Sequence, residues 1–145
     1  MRRAARADIP AIVALIAADQ IGATRDGGDV APYEDAFAAI DADPAQALVV
    51  LADAADDVVG TLQLTIIPGL ARRGALRAQI EAVRVREDLR GRGLGHALCA
   101  WAIEEARERG CALVQLTSDK RREEAHRFYG RLGFTATHEG FKLRL

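Results

Sequence analysis

The rhythm of apolar and polar positions changes twice along the chain. Asp8-Ile9-Pro10 is followed by an apolar run, Ala11 to Ala18. Asp can cap and Pro is tolerated in a first turn, so a helix is predicted there. Gln20 to Ala31 is rich in Gly and Asp and reads as a loop, and Pro32 to Ile40 as a short helix with Phe37 and Ile40 on one side. The period then shortens. Ala47–Ala52 and Val58–Ile67, joined by the turn Asp53–Asp57, predict an antiparallel hairpin closed by Pro68-Gly69. Ala78 to Val85 reads as a further strand, with Ile80, Ala82 and Arg84 on one face and Glu81, Val83 and Val85 on the other.

Helical spacing returns in Gly93–Arg109, where Leu94, Leu98, Trp101 and Glu105 form a stripe and Gly110 marks the stop. Cys111–Thr117 reads as a strand and Arg121–Leu132 as a helix ending at Gly133. Phe134–His138 and Phe141–Leu145 are predicted as two last strands. Strand, helix and strand from 78 to 117 imply a parallel pair with a crossover, whereas the hairpin implies antiparallel neighbours. The expected class is α/β (α+β), with a mixed, mainly antiparallel sheet.

Composition narrows this reading. The 145 residues suit one domain spanning 1–145, and with half of them apolar and 28% charged the chain is expected to fold. No apolar run approaches the roughly 20 residues of a bilayer span, and Met1-Arg2-Arg3-Ala4 is not followed by a secretory h-region, so a cytoplasmic location and no membrane partner are expected. Cys99 and Cys111 show no paired ligand spacing, so buried thiols are expected rather than a metal site. The net charge of −1 conceals a split: residues 1–70 carry 4 basic and 11 acidic groups, residues 71–145 carry 16 and 10. The basic half suits a polyanion.

The most informative segment is Arg90-Gly91-Arg92-Gly93-Leu94-Gly95, where a strand has ended and three alternate glycines open a long helix. Missing Cβ atoms allow close approach, the first helical N–H groups lack intrahelical partners, and the helix dipole and two arginines add positive charge. A pyrophosphate fits such a site. Neither a Gly-Lys-Ser/Thr phosphate loop nor the full GxGxxG dinucleotide fingerprint is present.

This segment resembles the acetyl-CoA-binding signature of the GNAT superfamily of N-acetyltransferases. Downstream, Ala125, then Tyr129 four positions on, then Gly133-Phe134, is similar to that family's other hallmark. The resemblance is firm over residues 78–135 and holds in outline before that. It departs at Arg122, where many members carry Asn, and at Glu87, where Pro is usual.

The resemblance implies a fold with helices on both faces of the sheet and a splayed parallel pair. It implies acetyl-CoA as co-substrate, with the pantetheine arm beside the strand through Val83 and Val85. The pyrophosphate would lie on the amides of Arg90, Gly91, Arg92, Gly93, Leu94 and Gly95; the family's Asn contact does not carry over to Arg122, whose own charge makes it a candidate to meet a phosphate. It also implies Tyr129 as general acid to the leaving thiolate and Glu81 as base, with His138 the runner-up. His96 and His126 are expected on the helix surface or behind the site, and Thr117 or Ser118 near the thiol.

The implied reaction is acetyl transfer to a primary amine of a small molecule by direct attack in a ternary complex, without a metal. Asp26, Asp29, Glu34 and Asp35 are candidates to draw in a cationic amine, and Arg72 and Arg73 to read a carboxylate or phosphonate. Three rival readings stand beside it. One is a protein or peptide amine as acceptor. Another is a silent acyl-CoA sensor that needs neither Tyr129 nor Glu81. The third is a nucleic-acid module using Arg84, Arg86, Arg90 and Arg92, disfavoured because aromatics are 5% of the chain and not interleaved with those arginines. A homodimer is left open.

Overall fold

The computed structural model describes residues 1–18 and 28–145. The elements are β1 (Arg2–Arg3), α1 (Ile9–Ala17), α2 (Ala31–Ala42), β2 (Gln46–Ala52), β3 (Val58–Ile67), the single turn α3 (Ala71–Gly74), β4 (Arg77–Val85), α4 (Leu94–Glu108), β5 (Leu113–Leu116) and α5 (Glu123–Arg131). Most of the predicted loop Gln20–Ala31, including Asp26, lies outside the described residues.

One five-stranded sheet runs β1-β2-β3-β4-β5. Its first four strands are antiparallel, and β4 and β5 are parallel, joined through α4. Period-two alternation sends side chains to two cores. Ala47, Val49, Leu62, Leu64, Ile66, Ala78 and Ile80 meet Leu98, Cys99, Ala102 and Ala106 of α4, with Phe128, Tyr129, Leu132 and Phe134 packed alongside. On the opposite face Ala4, Ile12 and Val50 meet Ile16, Phe37, Leu48 and Val58. Helices therefore cover both faces. The buried stripe of α4 is Leu98-Ala102-Ala106 with Cys99, rotated from the predicted one: small side chains let the helix lie close to the sheet, and Trp101 falls to its flank.

Two local expectations are corrected. Asp8 does not cap α1 with its carboxylate. The side chain instead turns back to accept from the Ala5 N–H at 2.7 Å and from the Arg2 guanidinium at 2.6 and 3.0 Å. That fixes the N-terminal strand onto the start of α1. The two last strands do not form within this chain: residues 135–145 are exposed and carry no strand. A strand needs a neighbouring edge to satisfy its backbone groups, and alternation in the sequence cannot provide one.

Candidate active site

The site begins with a defect in β4. Pairing between β4 and β5 stops at Ile80↔Leu116. Immediately afterwards Ala82 adopts φ +51, and the β3–β4 register slips, with Thr61 opposite Arg84 but Gln63 opposite Glu81. One extra residue in β4 makes a bulge. Left-handed backbone disfavours side chains with a Cβ, so a small alanine here is among the less costly choices. β5 ends at Leu116, so β4 beyond Ile80 runs on without a strand neighbour on that side. Across the bulge the alternation of β4 inverts: Ala78 and Ile80 before it, and Val83 and Val85 after it, all pack on the α4 side. Glu81 and Arg84 share the other face, opposite Gln63 and Thr61. The predicted grouping of Ile80 with Arg84, and of Glu81 with Val83, is thereby overturned.

After β4 the chain makes a 3-10 turn, Glu87–Leu89, and enters α4 through Gly91 (φ +77) and Gly93 (φ +81). Both glycines are needed for left-handed backbone, and a Cβ at either would meet nothing within 4 Å. Their surroundings are open on the side where a ligand would approach. Gly95 has a different reason. A Cβ there would touch the Phe128 ring at 3.4 and 3.6 Å, so its small size brings α5 against α4. The Arg90 N–H donates to the Glu87 carbonyl at 3.2 Å and is already engaged, whereas the first α4 acceptor is the Gly93 carbonyl, reached by the Ala97 N–H at 3.0 Å. The N–H groups of the first turn of α4 are left for another partner.

A cleft of about 660 Å³ lies between this turn and α5. Val83, Val85, Arg90, Gly91, Gly93, Leu94, Gly95, Arg122 and Tyr129 line it. Of the residues assigned to the site from sequence, Arg92 is exposed beside the turn without lining the cleft, and Glu81 is exposed on the other face of the sheet. His96 lines the cleft, His126 sits on the outer face of α5 against the Asp119 carbonyl at 2.9 Å, and His138 is exposed in the C-terminal segment beside Thr137. Thr117 is exposed. The Ser118 Oγ, two residues beyond the last β4–β5 pair, is buried with no hydrogen-bond partner among the described residues. The sequence pattern did not single out Arg127 and Arg131, which also line the cleft. Their four-residue spacing, one turn apart on α5, was the available signal.

Tyr129 is held by edge-to-face contacts with Phe128 (centroids 5.1 Å apart) and Phe134 (5.9 Å). Burial pushes its phenol above the ordinary value, Cys99 adds to the rise, and the guanidinium groups of Arg122 and Arg84 oppose it. The phenol thus stays protonated at neutral pH and can donate. Burial also pushes the Cys99 thiol up to about 11, which fits an inert core residue.

Arg72 and Arg73 adopt φ +55 and +62 in the turn before β4. Arg77, the first residue of that strand, lies about 20 Å along it from Val83, so the pair sits at the far end of β4 from the bulge. Glu34 is paired with Arg6 at 2.8 Å, and Asp29 accepts from the Ala31 N–H at 3.1 Å at the start of α2. No group of three or more His, Cys, Asp or Glu side chains suited to a metal comes together among the described residues.

A parallel pair that ends before the bulge, an open glycine turn at a helix mouth and a half-buried phenol facing the same cleft are the parts of an acyl-CoA-dependent transferase. The sequence profile of the Acetyltransferase (GNAT) family matches residues 14–134. The aminoalkylphosphonate N-acetyltransferase of Salmonella typhimurium (strain LT2) is 35% identical over 113 residues, 78% of this chain and 72% of that protein. Among solved structures, a transcriptional regulator from Bacillus halodurans C-125 is 42% identical with a TM-score of 0.95, over 99% of this chain and 97% of that one. A chain from Agrobacterium tumefaciens str. C58 is 31% identical with a TM-score of 0.87, over 99% and 98%. The protein belongs to the GNAT family of acetyltransferases and is an N-acetyltransferase.

Proposed function

We propose that the chain transfers the acetyl group of acetyl-CoA to the primary amine of a small molecule, by direct attack in a ternary complex. The observation that carries this reading is that one cleft joins the open glycine turn to the half-buried Tyr129 phenol. The residues present suit acetyl-CoA: room above Gly91 and Gly93, first-turn amides and arginines for phosphates, and an open side of β4 beyond Ile80 and Leu116 for an extended arm. When bound, acetyl-CoA supplies the thioester and its leaving thiol.

The chain's residues do the rest. Beyond the bulge, the β4 backbone near Val83 to Val85 orients the arm and offers an N–H to the carbonyl oxygen as it gains charge. Tyr129 donates its phenolic proton to the sulfur as the thiol leaves. Glu81, on the opposite face beside the bulge, takes the proton of the incoming ammonium, directly or through water. The acceptor therefore enters from the α1 face while the coenzyme enters from the α4 face, and the two meet where β5 has ended. Holding them together supplies roughly 7–11 kcal/mol of the barrier.

The acceptor class is supported by the Salmonella relative, whose substrates are aminoalkylphosphonates. Thiol release from acetyl-CoA against a panel of aminoalkylphosphonates, polyamines, amino sugars and peptides tests the reading. Turnover with a small amine is expected. Turnover confined to peptides would move the acceptor to protein amines. Tight acetyl-CoA binding without release on any amine would make the chain a sensor.

A further inference from the structure

We propose that Arg84 holds an anionic group on the acceptor, so that the site selects compact molecules bearing a primary amine and, a short carbon chain away, a phosphonate, sulfonate or carboxylate. This role for Arg84 rests on the small-amine acceptor proposed for the chain and names the residue that chooses among small amines.

The bulge creates the pairing. In an unbroken strand Glu81 and Arg84 would point to opposite faces of the sheet. The slip at Ala82 instead sets both on the α1 face, Glu81 opposite Gln63 and Arg84 opposite Thr61. Those partners are two steps apart on β3, so the two charged side chains leave the backbone about 7 Å from each other. A carboxylate accepts from an ammonium, and a guanidinium donates two parallel N–H groups to an acid. Gln63 gives its amide N–H to Gln46 at 3.1 Å, which leaves its carbonyl oxygen as a second acceptor beside Glu81. The Arg84 head is turned toward the reacting end of the cleft. Its Nη1 donates to the Val83 carbonyl at 2.9 Å, and its charge reaches the Tyr129 phenol and opposes the rise of that group. An acid gripped there holds its own amine where the thioester arrives.

Charge and burial point the same way. Beside the bulge one carboxylate and one guanidinium offset each other, which suits a zwitterion and gives a bare polyamine no net attraction. The acidic groups of α2 do not change that balance: Glu34 is paired with Arg6 at 2.8 Å, and Asp29 accepts from the Ala31 N–H at 3.1 Å. Glu81 is exposed to an incoming amine, whereas Arg84 is half-buried. Partial removal from water strengthens a charge-assisted hydrogen bond, so the acid end is the better place for selection. Arg72 and Arg73, the other arginines suited by sequence to an acid, precede β4 at its far end. The bulge therefore assigns to Arg84 the role that the sequence pattern gave to that pair.

Two measurements test the proposal. One is thiol release from acetyl-CoA with 2-aminoethylphosphonate, taurine, β-alanine, propylamine and 1,3-diaminopropane. The other is calorimetry of the three acid-bearing amines on the chain loaded with coenzyme A. At least one acid-bearing amine is expected to exceed propylamine and 1,3-diaminopropane by roughly 100-fold in kcat/KM, and the order of the three identifies the acid preferred. Arg84→Met should lower kcat/KM for that amine roughly 100-fold more than for propylamine, mainly through KM, and should abolish its binding heat. Arg84→Lys keeps the charge and loses the fork, so its preference for the acid should narrow by only about 10-fold. Affinity for acetyl-CoA and circular dichroism should match the parent in both variants. Propylamine turned over as well as every acid-bearing amine would overturn the role of Arg84 and leave the small-amine acceptor standing. So would an Arg84→Met or Arg84→Lys chain that slows all acceptors equally. No turnover of any small amine together with no binding heat from the acid-bearing ones would overturn both.

Discussion

Ile80 of β4 faces Leu116 of β5 across the last parallel pair of the sheet, and two residues further on Ala82 turns left-handed at φ +51. The placement of Glu81 and Val83 on opposite faces of the sheet follows from that one inserted residue. A strained position persists where the surrounding sheet holds it, and such positions gather at functional sites.

Tyr129→Phe keeps the ring contacts with Phe128 and Phe134 and removes only the hydroxyl that donates. A fall in kcat of roughly 10- to 1000-fold is expected, with little change in acetyl-CoA affinity, since positioning survives. Steady-state kinetics beside calorimetric binding separates the two. Unchanged turnover would remove the phenol from the mechanism.

At Gly93 a β-branched side chain meets two obstacles: left-handed backbone, worth about 1–2 kcal/mol of strain, and the space a diphosphate needs. Gly93→Val should abolish acetyl-CoA binding in calorimetry. Gly95→Ala, whose methyl group would sit at van der Waals distance from Phe128, should bind nearly as the parent does. Equal losses at both positions would contradict the division of roles between these glycines.

For Glu81→Gln, kcat/KM with a small amine should drop roughly 100-fold near pH 7. The deficit should shrink as pH rises and the amine loses its own proton. A pH–rate profile reads this directly. A deficit constant with pH would make Glu81 a binding group rather than a base.

The Asp8 carboxyl is held below its ordinary value, chiefly by the hydrogen bonds from Arg2, with burial opposing and the Ala5 N–H assisting. A depressed carboxylate adds stability above its unfolded pKa of about 3.9, and that stability is lost as pH falls through the lower folded value. Asp8→Asn should therefore destabilise the fold by about 1–3 kcal/mol at pH 7, with the difference shrinking below about pH 4. Urea titrations at pH 7 and pH 3 check it. Equal deficits at the two pH values would show that charge is not the reason.

The strand–turn–helix from 78 to 109 and the family hallmarks were legible in the residues because their signals are local. Left-handed turns select glycine at 91 and 93, helical spacing brings Tyr129 to the Phe128 side of α5, and period-two runs mark β2 and β3. Three features were not legible. The bulge at Ala82 leaves no mark in composition, since alanine carries no turn signal and its φ accompanies the register slip between β3 and β4. The arrival of Arg127 and Arg131 beside Arg122 at the cleft depends on how α5 settles on α4, which Gly95 permits but does not dictate. The segment after Phe134 carries the alternation of a strand and forms none within one chain, because backbone pairing is a relation between two edges and a single chain's pattern describes only one.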